Sequence, residues 1–294
     1  MDHLAFEDRA YIQSSSESAG GRGLNSSSVI HSFGGDTLAL TVCGGETGAR
    51  LNGFLRKAGF ATRSVTVSNE IRTNLTITDQ RGLTVNLNER GPELSAREVA
   101  KIERSVLQTL DRAKWLLLCG SLPPGVPPSF YARLIAAARE RKVRTLLHAS
   151  GDALREGCEA RPTVVTPNQN EAQRLVNRAL LTRTQWLKAA MEIRALGPEA
   201  VALSLASRGA VGAFADGLYE AVPPQVEALC PIGSGDALTA GYTWRMNNPK
   251  PNPADALRWG VAAGTASAVL PGMAFASLAQ TREMYGRIEL RRVE

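Results

Sequence analysis

Short apolar runs separated by helical stretches narrow the architectures open to this chain. Runs at residues 115–119, 143–147, 163–165 and 201–205 alternate with helical stretches near residues 128–141, 168–177 and 184–196. Continuous short apolar segments are what a parallel sheet buried on both faces requires, with the helices as crossovers. Ser95 and Glu98 are spaced as a capping box that opens a long amphipathic helix. Upstream, a helix-like segment at 24–33 ends at Gly34-Gly35, an apolar run at 38–43 reads as a strand, and a second helix over 47–58 stops at Gly59, read as its C-terminal cap. With 294 residues, the chain suits one large α/β domain with an appendage as well as two domains.

The appendage has its own signature. Residues 64–89 contain SVTVS, RTNLTIT and LTVNLNE, alternating segments rich in Thr, Val and Ile, with a turn at 79–82. They predict an antiparallel hairpin region in a separate small sheet, joined by a strand-like piece around residues 9–13.

Lys and Arg number 34 against 28 Asp and Glu, giving a net charge of +6 that is spread along the chain. This favours small anions over nucleic acid, because the basic residues form no run and are not interleaved with aromatics. Cys43, Cys119, Cys158 and Cys230 lie far apart without a CxxC pair, and His3, His31 and His148 form no HExxH, so neither zinc nor a disulfide framework is expected. The N-terminus MDHLAFEDRA lacks the basic start and apolar run of a signal peptide, so the expected compartment is the cytoplasm. The uncharged stretch 259–281 is mostly Ala, Gly, Ser and Thr and is broken at Pro271-Gly272; it reads as a buried helix and a turn, not as a membrane span.

Four loops carry candidate chemistry. Gly233-Ser234-Gly235-Asp236 leads straight into a helix, where backbone N–H groups and the helix dipole would receive a developing negative charge and Asp236 could serve as general base or merely as a helix cap. Gly20-Gly21-Arg22-Gly23-Leu24-Asn25 sets a guanidinium beside exposed donors suited to phosphate. Pro167-Asn168-Gln169-Asn170-Glu171 offers hard oxygen ligands for magnesium, or a capping box between Asn168 and Glu171. Gly120-Ser121 follows another strand, at the sheet edge where open parallel sheets bind ligands. P-loop, GxGxxG and GxSxG patterns are absent.

AGGRGLN with Gly34 and Gly44, IRTN at 71–74, NERGP at 88–92, GSLPPG, TPNQNE and GSGD, in this order, resemble the ribokinase-like (PfkB) carbohydrate kinase family, in its 1-phosphofructokinase and tagatose-6-phosphate kinase branch. The resemblance runs from Gly20 to the C-terminus. It implies a ribokinase-like three-layer α/β/α sandwich with a mostly parallel central sheet and a small β lid: a core over 19–67 and 92–294, and a lid over 1–18 and 68–91. It also implies transfer of the ATP γ-phosphoryl group to a hydroxyl of fructose 1-phosphate, fructose 6-phosphate or tagatose 6-phosphate. Asp236 would be the base within the anion hole of Gly233, Ser234 and Gly235. Gly21, Arg22, Gly23, Asn25, Arg72, Asn74 and Ser121 would bind the sugar phosphate. Asn168, Ser204, Ser207, Gly209 and Gly264 would meet the nucleotide, and Asn168 and Glu171 would serve Mg²⁺.

The chain also departs from that pattern. The opening strand that brings an Asp to the sugar has no counterpart, which suggests a start placed too late. Arg22 stands for the usual Lys, Thr166 for the Lys before Pro-Asn, His148 for an Asp at a strand end, Ala206 for a Gly, and Cys230-Pro231 for a polar pair. His148 reads as a tolerated substitution rather than a new base or metal ligand. Two rivals therefore accompany the kinase: a catalytically impaired sugar-phosphate-binding protein, and a kinase of an unphosphorylated sugar or nucleoside. Partners expected are the sugar phosphate and, by resemblance, a second copy joined through the β lid, with no nucleic acid and no membrane.

Overall fold

The structure, a computed structural model, describes residue 9, residues 11–79 and residues 84–293. In chain order its elements begin with α1 (Arg22–Ser32), β1 (Leu38–Cys43), α2 (Gly45–Leu55), β2 (Ala61–Thr66), β3 (Asn74–Thr78), β4 (Thr84–Asn88) and α3 (Ala96–Leu110). Then follow β5 (Trp115–Cys119), α4 (Phe130–Glu140), β6 (Arg144–His148), α5 (Gly151–Glu159), β7 (Val164–Val165), α6 (Gln169–Leu175), α7 (Arg183–Ala195) and β8 (Ala200–Ser204). The chain closes with β9 (Ala210–Phe214), β10 (Gly217–Val222), α8 (Ser234–Met246), α9 (Pro253–Ala268), α10 (Leu278–Tyr285) and β11 (Glu289–Val293).

The central sheet has the order β11-β10-β9-β8-β7-β6-β5. Strands β5 to β8 run parallel, and β9, β10 and β11 extend the sheet by antiparallel pairing. Successive side chains on these strands enter opposite cores, as the two-residue strand period demands. Leu146, Val164, Ala200 and Ala202 pack with α8, α9 and α10 through residues such as Leu238, Leu257 and Met284. Leu147, Val165, Val201 and Leu203 pack the other way, against α3 to α7 through residues such as Val106, Leu134, Leu154 and Ile193. The outcome is helix, sheet, helix in three layers.

Two smaller sheets stand apart from the seven strands. β3 and β4 form the expected antiparallel hairpin, in register from Asn74 opposite Asn88 to Thr78 opposite Thr84. Leu75 and Leu87 face each other across it and are 54% and 51% exposed. The SVTVS segment, by contrast, does not belong to the hairpin region: β2 pairs parallel with β1, from Leu38 opposite Ala61 to Cys43 opposite Thr66. Val65 and Val67 are buried in the larger core, and that burial draws the segment away from the lid. Alternation identified a strand there without naming its neighbour.

Three further expectations need correction or limits. Residue 9 and residues 11–18 form no strand, and the remainder of 1–18 lies outside the described residues. The turn at 79–82 also lies outside them, apart from Asp79. Helix α2 ends at Leu55 with Arg56 as its C-cap, so Gly59 does not cap it but sits in the following turn with φ of 79°.

The stretch that resembled a membrane span is the close-packed partner of α8. A Cβ on Gly264 would stand 2.8 Å from the Ser234 carbonyl oxygen, one on Gly260 2.8 Å from that of Leu238, and one on Gly241 2.9 Å from Ala263 Cβ. Small residues let the two backbones touch, and the contact fixes where α8 starts. Among the described residues no helix is long and apolar enough to cross a membrane. Gly264→Ala should lower the free energy of unfolding by about 1–3 kcal/mol, the cost of overpacking an interior contact. Urea unfolding with an unchanged denaturant slope is the check; full stability would mean that α9 does not set the position of α8.

Candidate active site

Helix α8 begins on Gly233, whose φ of 81° is left-handed and whose Cβ, were there one, would meet the Phe275 ring at 2.9 Å. No side chain caps this end. Ser234 directs both its N–H (3.2 Å) and its hydroxyl (2.7 Å) to the Pro231 carbonyl, so it contributes less to an anion hole than expected. The N–H groups of Gly235 and Asp236 have no backbone acceptor among the described residues, and a Cβ on Gly235 would enter open space. Two donors without a backbone acceptor at the positive end of a helix dipole can receive a negatively charged group.

Asp236 occupies the first turn of α8 without capping it. Its side chain turns toward α1, where Asn25 Nδ2 donates to Oδ2 at 2.7 Å. Ser26 Oγ donates to the Asp236 carbonyl at 3.3 Å and completes the tie between the two helices. Burial pushes the Asp236 carboxyl up from 3.8 to about 6, against the opposing pull of the Asn25 hydrogen bond and Arg22. A carboxylate with that value is ionised at neutral pH and still basic enough to take a proton.

Around it stand the ends of β5, β6 and β7. Arg22 at the start of α1 donates through Nη2 to Glu171 Oε1 at 2.8 Å and through Nη1 to the His148 carbonyl at 3.4 Å. The Gly120 N–H donates to that same carbonyl at 2.8 Å. Arg72, below the lid, donates to Ser121 Oγ at 3.3 Å, so both arginines reach the loop edge formed by β5 and β6. Tyr131 pins this loop, its hydroxyl lying 3.2 Å from the carbonyls of both Cys119 and Gly120. Burial, with Asp236 close by, pushes the Cys119 thiol up to about 12, so it is no nucleophile. Cβ atoms on Gly21 or Gly120 would meet nothing within 4 Å, which places both loops against open space, whereas Gly23 faces Cys119.

The remaining expected residues divide by position. Asn168 and Glu171 form a complete capping box at α6: Asn168 Oδ1 accepts from the Glu171 N–H and Glu171 Oε2 accepts from the Asn168 N–H, each at 2.9 Å. Both Glu171 oxygens are thus engaged, one by the backbone and one by Arg22. Asn168 lies beside Ser204 through an isolated parallel bridge, which joins the α6 start to the loop after β8. In that loop Ser207 belongs to a single 3₁₀ turn over Ala206–Arg208, and Gly209 follows with φ of 87°, where any Cβ would overlap the Ala221 carbonyl oxygen. Gly264 lies buried beneath the start of α8 and supports it from behind. Asn74 opens β3 on the exposed lid, away from the buried cluster.

Sequence reasoning passed over Arg208 and took His148 for a tolerated substitution. Arg208 donates to the Gln169 side chain and lies over the Trp186 ring at 4.8 Å, stiffening the loop next to α6. His148 ends β6 with Nδ1 3.8 Å from Asp236 Oδ1, though its position at a strand end was the only signal for it.

The two buried groups have opposite effects on stability. Burial lowers His148 from 6.5 to about 3, with Arg22 adding to the shift, while Asp236 rises to about 6. For Asp236 the folded state keeps a proton that the unfolded state releases; its stabilisation is full below pH 3.8 and is lost as pH rises through about 6. For His148 the unfolded state binds a proton that the folded state refuses; its stabilisation is present above 6.5 and is lost as pH falls toward about 3. Between pH of roughly 4 and 6 the two slopes cancel. Asp236→Asn should therefore expose a stability that climbs by about 1.4 kcal/mol per pH unit, and His148→Asn one that falls by a similar amount. Urea unfolding across that window checks this, and parallel slopes in the two variants would refute it.

Comparison with known proteins establishes the family and the fold. The sequence profile of the pfkB family carbohydrate kinases matches residues 1–279. The ATP-dependent 6-phosphofructokinase isozyme 2 of Escherichia coli is 31% identical over 269 residues, covering 90% of this chain and 86% of the relative. The crystal structure of E. coli phosphofructokinase-2 with substrates and products superposes with a TM-score of 0.89 at 29% identity, covering 97% of this chain and 93% of that one. A "possible 1-phosphofructokinase" from Thermotoga maritima shares the fold at a TM-score of 0.92 and 23% identity, covering 100% and 95%. The chain belongs to the pfkB family of carbohydrate kinases.

Proposed function

We propose that this kinase transfers the γ-phosphoryl group of ATP to a hydroxyl of a hexose phosphate, with Asp236 as the base. The observation that carries the proposal is a buried carboxylate, raised toward neutrality, at a helix start where two N–H groups have no backbone acceptor among the described residues. Asp236 would accept the proton of the attacking hydroxyl, and the Gly235 and Asp236 N–H groups would receive the charge that builds on the transferring phosphoryl oxygens. Asn25 holds the carboxylate in one orientation meanwhile.

Fructose 6-phosphate is the leading acceptor, because E. coli phosphofructokinase-2, a relative of this chain, has been solved with that sugar. Arg72 and Arg22 would take its phosphate, their guanidinium groups converging on one loop edge. Fructose 1-phosphate and tagatose 6-phosphate present the same anion and remain acceptors to test. The loop Ser204 to Gly209 and Asn168 would border the nucleotide. Glu171 fits Mg²⁺ only through water or after Arg22 moves, since both its oxygens accept hydrogen bonds. Bound there with the nucleotide phosphates, the ion would neutralise their charge. Leu75 and Leu87, exposed on a two-stranded ribbon, give the lid a motive to pair with a second copy.

Purified protein with ATP, Mg²⁺ and each of the three sugar phosphates should release ADP with at least one. Asp236→Asn should lower kcat by about 10²–10⁴ while calorimetry shows the sugar phosphate bound as before. Sugar-phosphate binding without ATP binding or turnover would instead identify the impaired binding protein. Arg72→Ala should raise KM for phosphorylated acceptors by at least about tenfold, the loss of one charge-assisted hydrogen bond. Equal activity on unphosphorylated sugars would assign the acceptor to that class.

A further inference from the structure

His148 and Asp236 meet inside the protein, 5% and 7% exposed, with Nδ1 of one 3.8 Å from Oδ1 of the other. The same Nδ1 lies 3.3 Å from Thr239 Oγ1, which in turn lies 3.1 Å from Thr166 Oγ1. Asn25 already donates to the second carboxylate oxygen, Oδ2. The base is therefore gripped on one oxygen by an amide and faced on the other by an imidazole nitrogen.

The state of that nitrogen follows from its neighbours. Burial and the adjacent Arg22 keep the ring neutral, so Nδ1 carries either a hydrogen or a lone pair. A lone pair directed at an anionic oxygen is repelled; an N–H dipole is attracted. Thr239 Oγ1 can donate or accept, so the hydroxyl chain fits either choice and the carboxylate decides between them. Other charged or titratable groups near the pair are Arg22, Glu171 and Cys119. Arg22 touches His148 only at its backbone carbonyl, so it does not compete for Nδ1.

We propose that His148 is the positioning residue of Asp236: a neutral imidazole in the Nδ1–H tautomer that faces Oδ1 and, with Asn25 on Oδ2, fixes the plane of the catalytic carboxylate. Its catalytic consequence rests on the kinase function proposed above; its tautomer does not. An acid at this position would oppose Asp236 with like charge, whereas the imidazole offers a donor without bringing charge of its own.

The test is ¹⁵N NMR of histidine-labelled full-length protein near pH 7, with the His148 signal assigned by its loss in His148→Asn. The wild-type signal should show hydrogen on Nδ1. In Asp236→Asn an amide that keeps Asn25 as its donor turns its oxygen to Asn25 and its NH₂ to His148. The ring should then switch to hydrogen on Nε2. Hydrogen on Nε2 in the wild type, or on Nδ1 in both proteins, would overturn the proposal.

Kinetics add a second readout. His148→Asn keeps a donor near the place of Nδ1 and should hold kcat within about threefold. His148→Leu should lower kcat by roughly tenfold or more with KM nearly unchanged. Equal kcat in the two variants would count against positioning. The expected tautomer switch without turnover in any variant would leave the pairing intact and defeat the kinase function, whereas turnover without the switch would do the reverse.

Discussion

The hydrogen bond from Asn25 to Asp236 is the contact on which the site depends, because it joins two segments more than two hundred residues apart through side chains with almost no access to water. A buried carboxylate is costly unless it is paired, and here the partner is a neutral amide rather than a cation. That choice leaves the acid above its usual range and thus still able to accept a proton. An arginine in place of Asn25 would stabilise the anion more and make it a weaker base.

The contact also requires that α1 and α8 be held at fixed distance. Val29 and Phe33 of the α1 region pack with Ala237, Ala240 and Ala263 in a small core of their own. Behind α8, the glycines of α9 permit backbone contact that a methyl group would prevent. The helix that carries Asp236 is thus supported on one side by Val29 and Phe33 and on the other by close-packed glycines. Under the proposed function, rigid support of this kind would let the Gly235 and Asp236 N–H groups receive charge without reorganising.

The sequence made some of this legible and hid the rest for physical reasons. The runs that became β5 to β8 were clear because strands buried on both faces are predominantly apolar, with few polar positions such as Thr145 to interrupt them. GSGD and TPNQNE were clear because helix starts demand particular residues, and the capping box at Asn168 and Glu171 is present as a local pattern would have it. Partners distant in sequence were not legible. Nothing local distinguishes the β2 segment from its neighbours in the hairpin, since burial of Val65 and Val67 decides its pairing. The antiparallel strands β9 to β11 were passed over, as was helix α5, a nine-residue segment whose buried residues nonetheless share one face. His148 gave no sign of its neighbour, because its distance to Asp236 exists only after the strand end and the helix start are brought together.

The ion pair between Arg22 and Glu171 has a consequence for how ligands enter. At rest the guanidinium and the carboxylate cancel, so an arriving phosphate meets a dipole and not a bare cation. A phosphate that draws Arg22 away leaves behind an uncompensated carboxylate, 5% exposed, that must find another positive partner. A divalent ion is such a partner. Under the proposed function, uptake of the acceptor phosphate by Arg22 and of a divalent ion by Glu171 would be thermodynamically linked, and each affinity would have meaning only at a stated concentration of the other.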